Sequence, residues 1–437
     1  MEIIAIILFI SIFLLILYGY PVAFTLGGLS VIYALCFLEP STFSALPSRI
    51  MGVMSNPVLL AVPLFIFMGI MLEKSGLAEN LLETMAILFG KVPGGLAISV
   101  VLVGAMLAAS TGIVGATVIT MGLISLPVML KRGYKPELAT GVIASSGTLG
   151  QIIPPSVVLV LLGSVLNVSV GALFAAALAP GLLLVVFYLA YIVIFARLRP
   201  QSAPAIPEAE IKAFKGADFM KKLLSAFFLP ILLIIAVLGS IFLGIASPTE
   251  AAAVGAMGAT LLTIGQRRFS MSILKTVMRE TSHLTTMVFI ILLGATCFSF
   301  VFRELGGDVY LVEVIQDANL SAGWFLLLVM AIVFVAGFFI DFIEIIFIIV
   351  PVVSPIFHTL GLDLVWVGIL LALNLQTSFL TPPFGFSLFY LKGVAPPHIT
   401  TGHLYRGIIP FVVIQLFFLL LVALFPEIIY VFKGLMN

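Results

Sequence analysis

Two carboxylates interrupt an otherwise apolar run: Asp341 and Glu344, in Gly337-Phe338-Phe339-Ile340-Asp341-Phe342-Ile343-Glu344. Their i, i+3 spacing places both on one face of a helix. An ionisable pair inside an apolar run is a functional hypothesis by default: it can help bind a cation, take up a proton, or hold a substrate indirectly. A structural pair bonded to neighbouring helix ends is the alternative. Asp341, nearer the interruption at Gly337, is the better candidate. Arg303 ends the apolar run 287–302. A guanidinium there can grip a substrate carboxylate with two parallel hydrogen bonds. It can also snorkel to an interface, or pair with Glu304 or Asp308.

The other polar groups in apolar surroundings are oxygens. Ser110, Thr111 and Gly112 form one cluster, Gly147, Thr148 and Gly150 a second, and Asn374, Thr377 and Thr381 a third. Hydroxyl and carbonyl oxygens without soft ligands suit a hard cation such as Na⁺, and unwound helices are the usual source of such carbonyls. With Gly337 and Asp341, these nine residues are the Na⁺ candidates. Ser110, Thr381, Arg303 and Asp341 are the substrate candidates. Simple satisfaction of local backbone is the competing role for each. His283, His358, His398 and His403 show no paired spacing and read as interfacial. There is no G-x-x-x-x-G-K-[ST] phosphate loop, so no P-loop ATPase is encoded. Asp341-x-x-Glu344 alone does not make a nucleophile–base pair or a metal motif, so an enzyme is not expected, nor is a cofactor beyond a coupling ion.

The elements that must position these residues are set by composition. The 437 residues are 62% hydrophobic and 9% charged, with a net charge of +1. Soluble domains are roughly 25% charged, so a soluble enzyme, a disordered chain and a nucleic-acid binder are excluded. A lipid-embedded all-α protein remains, with apolar stretches enough for about ten to twelve crossings at roughly 20 residues each. The two cysteines, Cys36 and Cys297, lie in apolar runs and make no disulfide framework. The first apolar run lacks a basic leader and a cleavage site, so it reads as a retained span. Residues 197–222 hold three prolines and four lysines and read as a cytoplasmic linker with a surface helix, or as an ordinary loop over the first half.

An internal repeat runs through the apolar part. Leu64-Phe65-Ile66-Phe67-Met68-Gly69 resembles Phe289-Ile290-Ile291-Leu292-Leu293-Gly294, Gly112 maps onto Gly337, Pro127 onto Pro351, and Pro154-Pro155 onto Pro382-Pro383, in one order and nearly one register. Each copy holds an apolar stretch interrupted at its middle, by Ser110-Thr111-Gly112 or by Gly337. Each arm is short of a hydrocarbon core about 30 Å thick. A re-entrant hairpin is the sharper reading, one long tilted helix the blander one. Each copy also holds a helix broken by a proline pair, which removes backbone donors and frees carbonyls. In lipid such backbone lines a protein-buried site or water. Ser, Thr, Asn and Gln concentrated beside both breaks argue for a site over a mere kink.

Lys91, Lys131, Arg132 and Lys135 flank the first interrupted stretch; Asp308, Glu313, Asp317 and Asp363 flank the second. The positive-inside rule then puts their bases on opposite sides, so the copies are expected to be inverted, with the site near the midplane. The expected organisation is N-terminal scaffold helices over 1–50, a first transport repeat over 51–166, scaffold over 167–285, a second transport repeat over 286–395, and a C-terminal scaffold helix over 396–437.

These strings resemble a known family. Asn56-Pro57 with Pro63-Leu64-Phe65, Ser110-Thr111-Gly112, Gly147-Thr148-Leu149-Gly150 with Pro154-Pro155-Ser156, and Thr381-Pro382-Pro383-Phe384-Gly385 look like the large, DctM-like membrane subunit of tripartite ATP-independent periplasmic (TRAP) transporters. The resemblance covers nearly the whole chain. It implies a Na⁺-coupled importer of organic acids in a bacterial or archaeal inner membrane, a periplasmic substrate-binding protein, and a small membrane subunit expected here as a separate polypeptide. It implies an elevator-type fold, in which a scaffold holds a moving domain of two hairpins and two broken helices, with ions and substrate at the hairpin tips and the Pro-Pro breaks. Sialic acids and C4-dicarboxylates are both substrate expectations. An anion channel or uniporter is the alternative function; it would conduct without Na⁺ or a binding protein.

Overall fold

The computed structural model describes residues 2–112, 114–208, 211, 219, 223–318, 320–432 and 434, with the side chains of Ser110, Thr111, Ser225 and Ala226 outside the description. The surface helix expected within 197–222 lies mostly outside the described residues, as do the side chains of the candidate ligands Ser110 and Thr111.

The described secondary structure is helical throughout. In chain order it comprises α1 (Glu2–Leu17), α2 (Val22–Phe37), α3 (Pro40–Phe43), α4 (Leu46–Met54), α5 (Ala61–Lys74), α6 (Leu77–Phe89), α7 (Gly95–Thr111), α8 (Val114–Lys131), α9 (Pro136–Thr148), α10 (Val157–Leu166) and α11 (Val170–Leu198). After the linker come α12 (Leu229–Phe242), α13 (Pro248–Gly265), α14 (Met271–Glu304), α15 (Gly307–Asp317), α16 (Ala322–Ala336), α17 (Phe342–Ile348), α18 (Val350–Thr359), α19 (Leu364–Leu380), α20 (Phe386–Val394) and α21 (Thr401–Leu424).

Among the described residues, five helices are long and apolar enough to cross a membrane alone, six if the bent pair α17–α18 is one span, and seven more are apolar but only 10–17 residues long. This is fewer full crossings than the ten to twelve stretches suggest. The physical reason is that interrupted and broken helices divide one crossing between two short elements. Leu14, Phe24, Leu35, Leu182, Val186 and Ile194 are exposed on the outer faces of long helices, as expected of a lipid-facing surface. The chain is a multi-pass membrane protein.

Small residues set the close packing. Gly294 of α14 lies so near α2 that a Cβ there would sit 2.5 Å from the Ala23 carbonyl oxygen. Gly407 of α21 approaches α9, where an added Cβ would meet the Glu137 carbonyl oxygen at 2.1 Å, and Gly141 of α9 meets the Gly407 carbonyl oxygen at 2.2 Å. Such mutual approach is how membrane helices gain dispersion contact where no hydrophobic driving force joins them.

The proline-rich stretch after α11 does not float free. Gly94 donates its N–H to Ala203, Lys135 to Ser202, and Ile206 to Gly90, at 2.8–3.0 Å. This strap lies across the bases of α7 and α8. The same basic end carries the Lys74–Glu280 ion pair at 3.1 Å and Arg268, which donates to the Ser75 carbonyl oxygen at 3.2 Å. The opposite end carries acids: Tyr430 hydrogen-bonds Asp363, and Glu2 lies beside Gly306.

Candidate functional site

The first interruption is a tight reversal. α7 ends at Gly112, whose φ of +61° is left-handed backbone that glycine adopts freely, and α8 resumes at Val114. A Cβ on Gly112 would lie 3.0 Å from the Val157 amide nitrogen, so the reversal abuts the first residue of α10. The break between α9 and α10 is folded against the same pair of helices. Gly150 lies where a Cβ would meet the Ala108 carbonyl oxygen at 2.2 Å, and Gly147 where one would meet Val118 Cγ2 at 2.3 Å. Only glycine permits these approaches. Past Thr148 the chain narrows to a 3-10 turn, Leu149–Gln151, passes the cis Pro154–Pro155 bond, and re-enters helix with Ser156 as N-cap residue.

The second interruption is built differently. Gly337 has ordinary helical φ, and the reversal takes the whole stretch to Asp341 before α17 begins. Gly337 faces α19 so closely that a Cβ would sit 2.0 Å from Ser378 Oγ. α19 stops at Thr381, the cis Pro382–Pro383 bond follows, and Gly385, at φ +50°, opens α20. Asn374 donates from Nδ2 to the Met330 carbonyl oxygen at 2.7 Å, joining α19 to α16.

The outgoing halves of the two breaks exchange partners between the first and second parts of the chain. α10, the outgoing half of the first break, packs against α17, α18 and α19, while α20, the outgoing half of the second, packs against α8 and α9. Gly115 faces Tyr390 at 3.0 Å and Gly122 faces Leu391 at 2.8 Å, each measured from an added Cβ. The Ser387 hydroxyl of α20 donates to the Ala144 carbonyl oxygen of α9 at 3.0 Å. Residues from both candidate copies thus form one buried body.

Asp341 and Glu344 do not share a helix face as their spacing suggests. Asp341 is the N-cap of α17, in extended backbone, and accepts the Phe342 N–H at 2.7 Å. Glu344 reaches back to accept the Asp341 N–H at 3.3 Å, which completes a capping box. The i, i+3 spacing is common to both arrangements, and the helix start decides between them. Neither carboxylate has an ion-pair partner among the described residues. The two carboxyl groups face the positive end of the helix dipole, and their remaining lone pairs are available to a cation.

The hydroxyl candidates are tied to their own helices. Thr148 donates to Ser145, Thr377 to Leu373 and Thr381 to Thr377, all through backbone oxygens at 2.7–2.9 Å. Each still has oxygen lone pairs to offer. Two residues that the sequence reading counted only collectively, as glutamine beside the breaks, stand out individually. Gln151 and Gln376 are fully buried, one at each break; the Gln151 carboxamide has no hydrogen-bond partner among the described residues, and that of Gln376 lies beside the Tyr188 hydroxyl. Their separation equals that of Gly112 and Gly337, which is the signal that would have found them.

Arg303 is not brought to the tips. It lines a cavity of about 1040 Å³ between α4, α14, the end of α10 and the outgoing arm α17–α18. It pairs with neither Glu304 nor Asp308, and Asp341 is not on the wall. At the second interruption, Phe338, Phe339, Phe384, Phe386 and Phe389 line a smaller apolar cavity of about 330 Å³ with Ile16 and Leu17 of α1.

Comparison with known proteins places this architecture. Residues 9–428 match the model of the tripartite ATP-independent periplasmic transporter, DctM component. The chain is 32% identical over 402 residues to the C4-dicarboxylate TRAP transporter large permease protein DctM of Pseudomonas aeruginosa, covering 92% of each chain. It is 30% identical over 417 residues to the sialic acid TRAP transporter large permease protein SiaM of Vibrio cholerae, covering 94% of this chain and 93% of that one. Its fold is similar to that of the Alcanivorax borkumensis YdaH transporter, with a TM-score of 0.63, 14% identity and 88% of each chain covered. The discontinuous helices and the match across nearly the whole length have one conclusion: this chain belongs to the DctM component family of TRAP transporters, the large permeases.

Proposed function

We propose that the chain is the large permease of a Na⁺-coupled importer that takes up an organic acid by an elevator movement. The acid is of the C4-dicarboxylate or sialic acid class and is delivered by a periplasmic binding protein. The observation that carries the reading is the exchange between copies, in which α10 packs on α17–α18 and α20 on α8. Both interruptions and both breaks belong to one interlocked body. Such a body can move as a unit, which is what an elevator requires. We read the copies as inverted repeats and the glycine-framed turns as re-entrant tips, in a bacterial inner membrane with the basic end in the cytoplasm.

In this reading Asp341 is the anionic ligand for a coupling Na⁺, completed by carbonyls and hydroxyls around Gly337, Asn374, Thr377 and Thr381. A second ion is served by Ser110, Thr111, Gly112, Gly147, Thr148 and Gly150. Holding a cation next to the substrate lowers the cost of carrying an organic anion through the membrane, so ion and acid bind cooperatively. Arg303 meets the acid at the cavity wall. Ser110 and Thr381 supply hydrogen bonds to it once it has moved on from Arg303 to the tips, and the small membrane subunit, a separate chain, enlarges the stationary scaffold.

Uptake of labelled succinate and labelled sialic acid into proteoliposomes decides. The vesicles contain this chain with its small subunit, with and without the binding protein and an inward Na⁺ gradient. Accumulation requiring both is expected. Flux requiring neither identifies a channel or uniporter and removes the coupling.

A further inference from the structure

The large cavity has a wall chemistry that sequence reading did not anticipate. Besides Arg303 it is lined by Arg49, from the short helix α4, and not one of its lining residues is an aspartate or a glutamate. Both arginines are exposed, and neither forms an ion pair among the described residues. The rest of the polar lining is amide and hydroxyl chemistry, including Asn56, Thr296, Ser299 and Ser354, together with the imidazole of His358. The arginines come from elements far apart in sequence and are held in one concavity by the packing of α4 on α14.

Two guanidiniums in one concavity repel each other, and nothing in the wall neutralises them. A cleft lined by one sign of charge between low-dielectric walls focuses its field and concentrates counter-ions. A volume of about 1040 Å³ is at the top of the range of small-molecule sites, roughly 300–1,000 Å³. That is too roomy for close shape selection, so charge is the selective property. The cavity borders the outgoing arm α17–α18 only from Phe347 onward, away from Asp341 at the arm's start, so an anion collected there still has to move along the arm to reach the proposed ion site.

We infer that Arg49 and Arg303 together make this cavity an anion-collecting vestibule whose preferred ligand carries two negative charges, with Arg49 as a specificity-determining residue. The substrate class rests on the importer reading; the vestibule's charge does not. Arginine suits the role because each guanidinium can bind one carboxylate bidentately, so a dianion engages both and a monoanion one. The C4-dicarboxylate branch of the substrate expectation is thereby favoured.

The test separates the two. In a background with Cys36→Ser and Cys297→Ser, a cysteine is introduced by Thr296→Cys or, as a second reporter, Ser354→Cys. The chain, with its small subunit in nanodiscs, is treated at low ionic strength with a sulfonate-bearing and a trimethylammonium-bearing methanethiosulfonate. The vestibule predicts faster reaction with the anionic reagent and a ratio of rates that falls by about threefold or more in Arg49→Gln, an effect that 0.5 M salt erases. Arg49→Lys should keep the ratio. Succinate should protect the cysteine better than lactate does, and Arg49→Gln should abolish that preference. An unchanged ratio in Arg49→Gln, or no reaction at either cysteine, overturns the vestibule. A changed ratio with equal protection by succinate and lactate overturns the dianion preference. Failure of uptake with these results intact removes the importer reading alone.

Discussion

The Ser387 hydroxyl donates to the carbonyl oxygen of Ala144 at 3.0 Å across 243 residues of sequence. It is a side-chain bond between the two broken helices, and both residues are buried. Interhelical hydrogen bonds in membrane proteins are worth about 0.6 kcal/mol on average. Ser387→Ala should therefore lower the thermal midpoint of the purified protein slightly, by about that energy, without preventing membrane insertion. A midpoint identical to the parent's would show that packing alone joins α9 to α20.

The capping box at α17 allows charge to be separated from structure. Asparagine caps helix N-termini about as well as aspartate, so Asp341→Asn keeps the Phe342 N–H satisfied and removes only the negative charge. The variant should fold with near-parental stability and lose most Na⁺-dependent uptake and Na⁺-dependent thermal stabilisation. Asp341→Ala should lose both ion response and about 1 kcal/mol of stability. Normal Na⁺ stabilisation in Asp341→Asn would take this residue out of the ion site. Glu344→Gln retains an acceptor for the Asp341 N–H, so its effect on uptake should be the smaller one.

The glycines at the breaks make a steric prediction with an internal control. Gly150→Ala must place a methyl 2.2 Å from the Ala108 carbonyl oxygen, whereas Gly28→Ala on α2 has nothing within 4 Å. A backbone oxygen within α7 cannot yield as a flexible side chain would. Gly150→Ala should cost on the order of 1–3 kcal/mol through overpacking. Gly28→Ala should be neutral or slightly stabilising, because alanine has the better helix propensity. Thermal unfolding of both in one detergent checks the contrast. Equal midpoints would mean that the first break lies further from α7 than 2.2 Å implies.

Which features were legible in the sequence follows from what each residue does to the backbone. Pro154-Pro155, Pro382-Pro383 and Gly112 act on the chain wherever it folds, so the places where helices are interrupted could be read directly, whereas whether the chain reverses at Gly112 or runs on as one tilted helix could not. Asp341 and Glu344 could not be placed fully, because a helix face and a capping box share one spacing. The pattern Asp341-x-x-Glu344 before an apolar run was nonetheless a readable N-terminus signature. Gly112 and Gly337 looked equivalent, yet only the first is left-handed, since a longer turn relieves the second. Arg49 resembles any interfacial arginine until α4 is seen against α14. Its relation to Arg303 is purely tertiary, and no local pattern encodes it.

Thr381 supplies the most direct test of movement at the ion site. It is half-buried at the C-terminal end of α19, and its hydroxyl donates to the Thr377 carbonyl oxygen at 2.8 Å, leaving its lone pairs free to accept a cation. The preceding helix is held to α16 through Asn374 and to Gly337 through close approach of Ser378. An ion that engages Asp341 and this helix end together would clamp tip to break and shield position 381. In the background lacking Cys36 and Cys297, Thr381→Cys should react more slowly with a soluble thiol reagent in Na⁺ than in K⁺ or choline at equal ionic strength. Adding Asp341→Asn should remove the difference, because a neutral cap offers the ion no charge. Equal rates in Na⁺ and K⁺ with Asp341 intact would place the ion elsewhere, and a Na⁺ effect that survives Asp341→Asn would assign the clamp to backbone carbonyls alone.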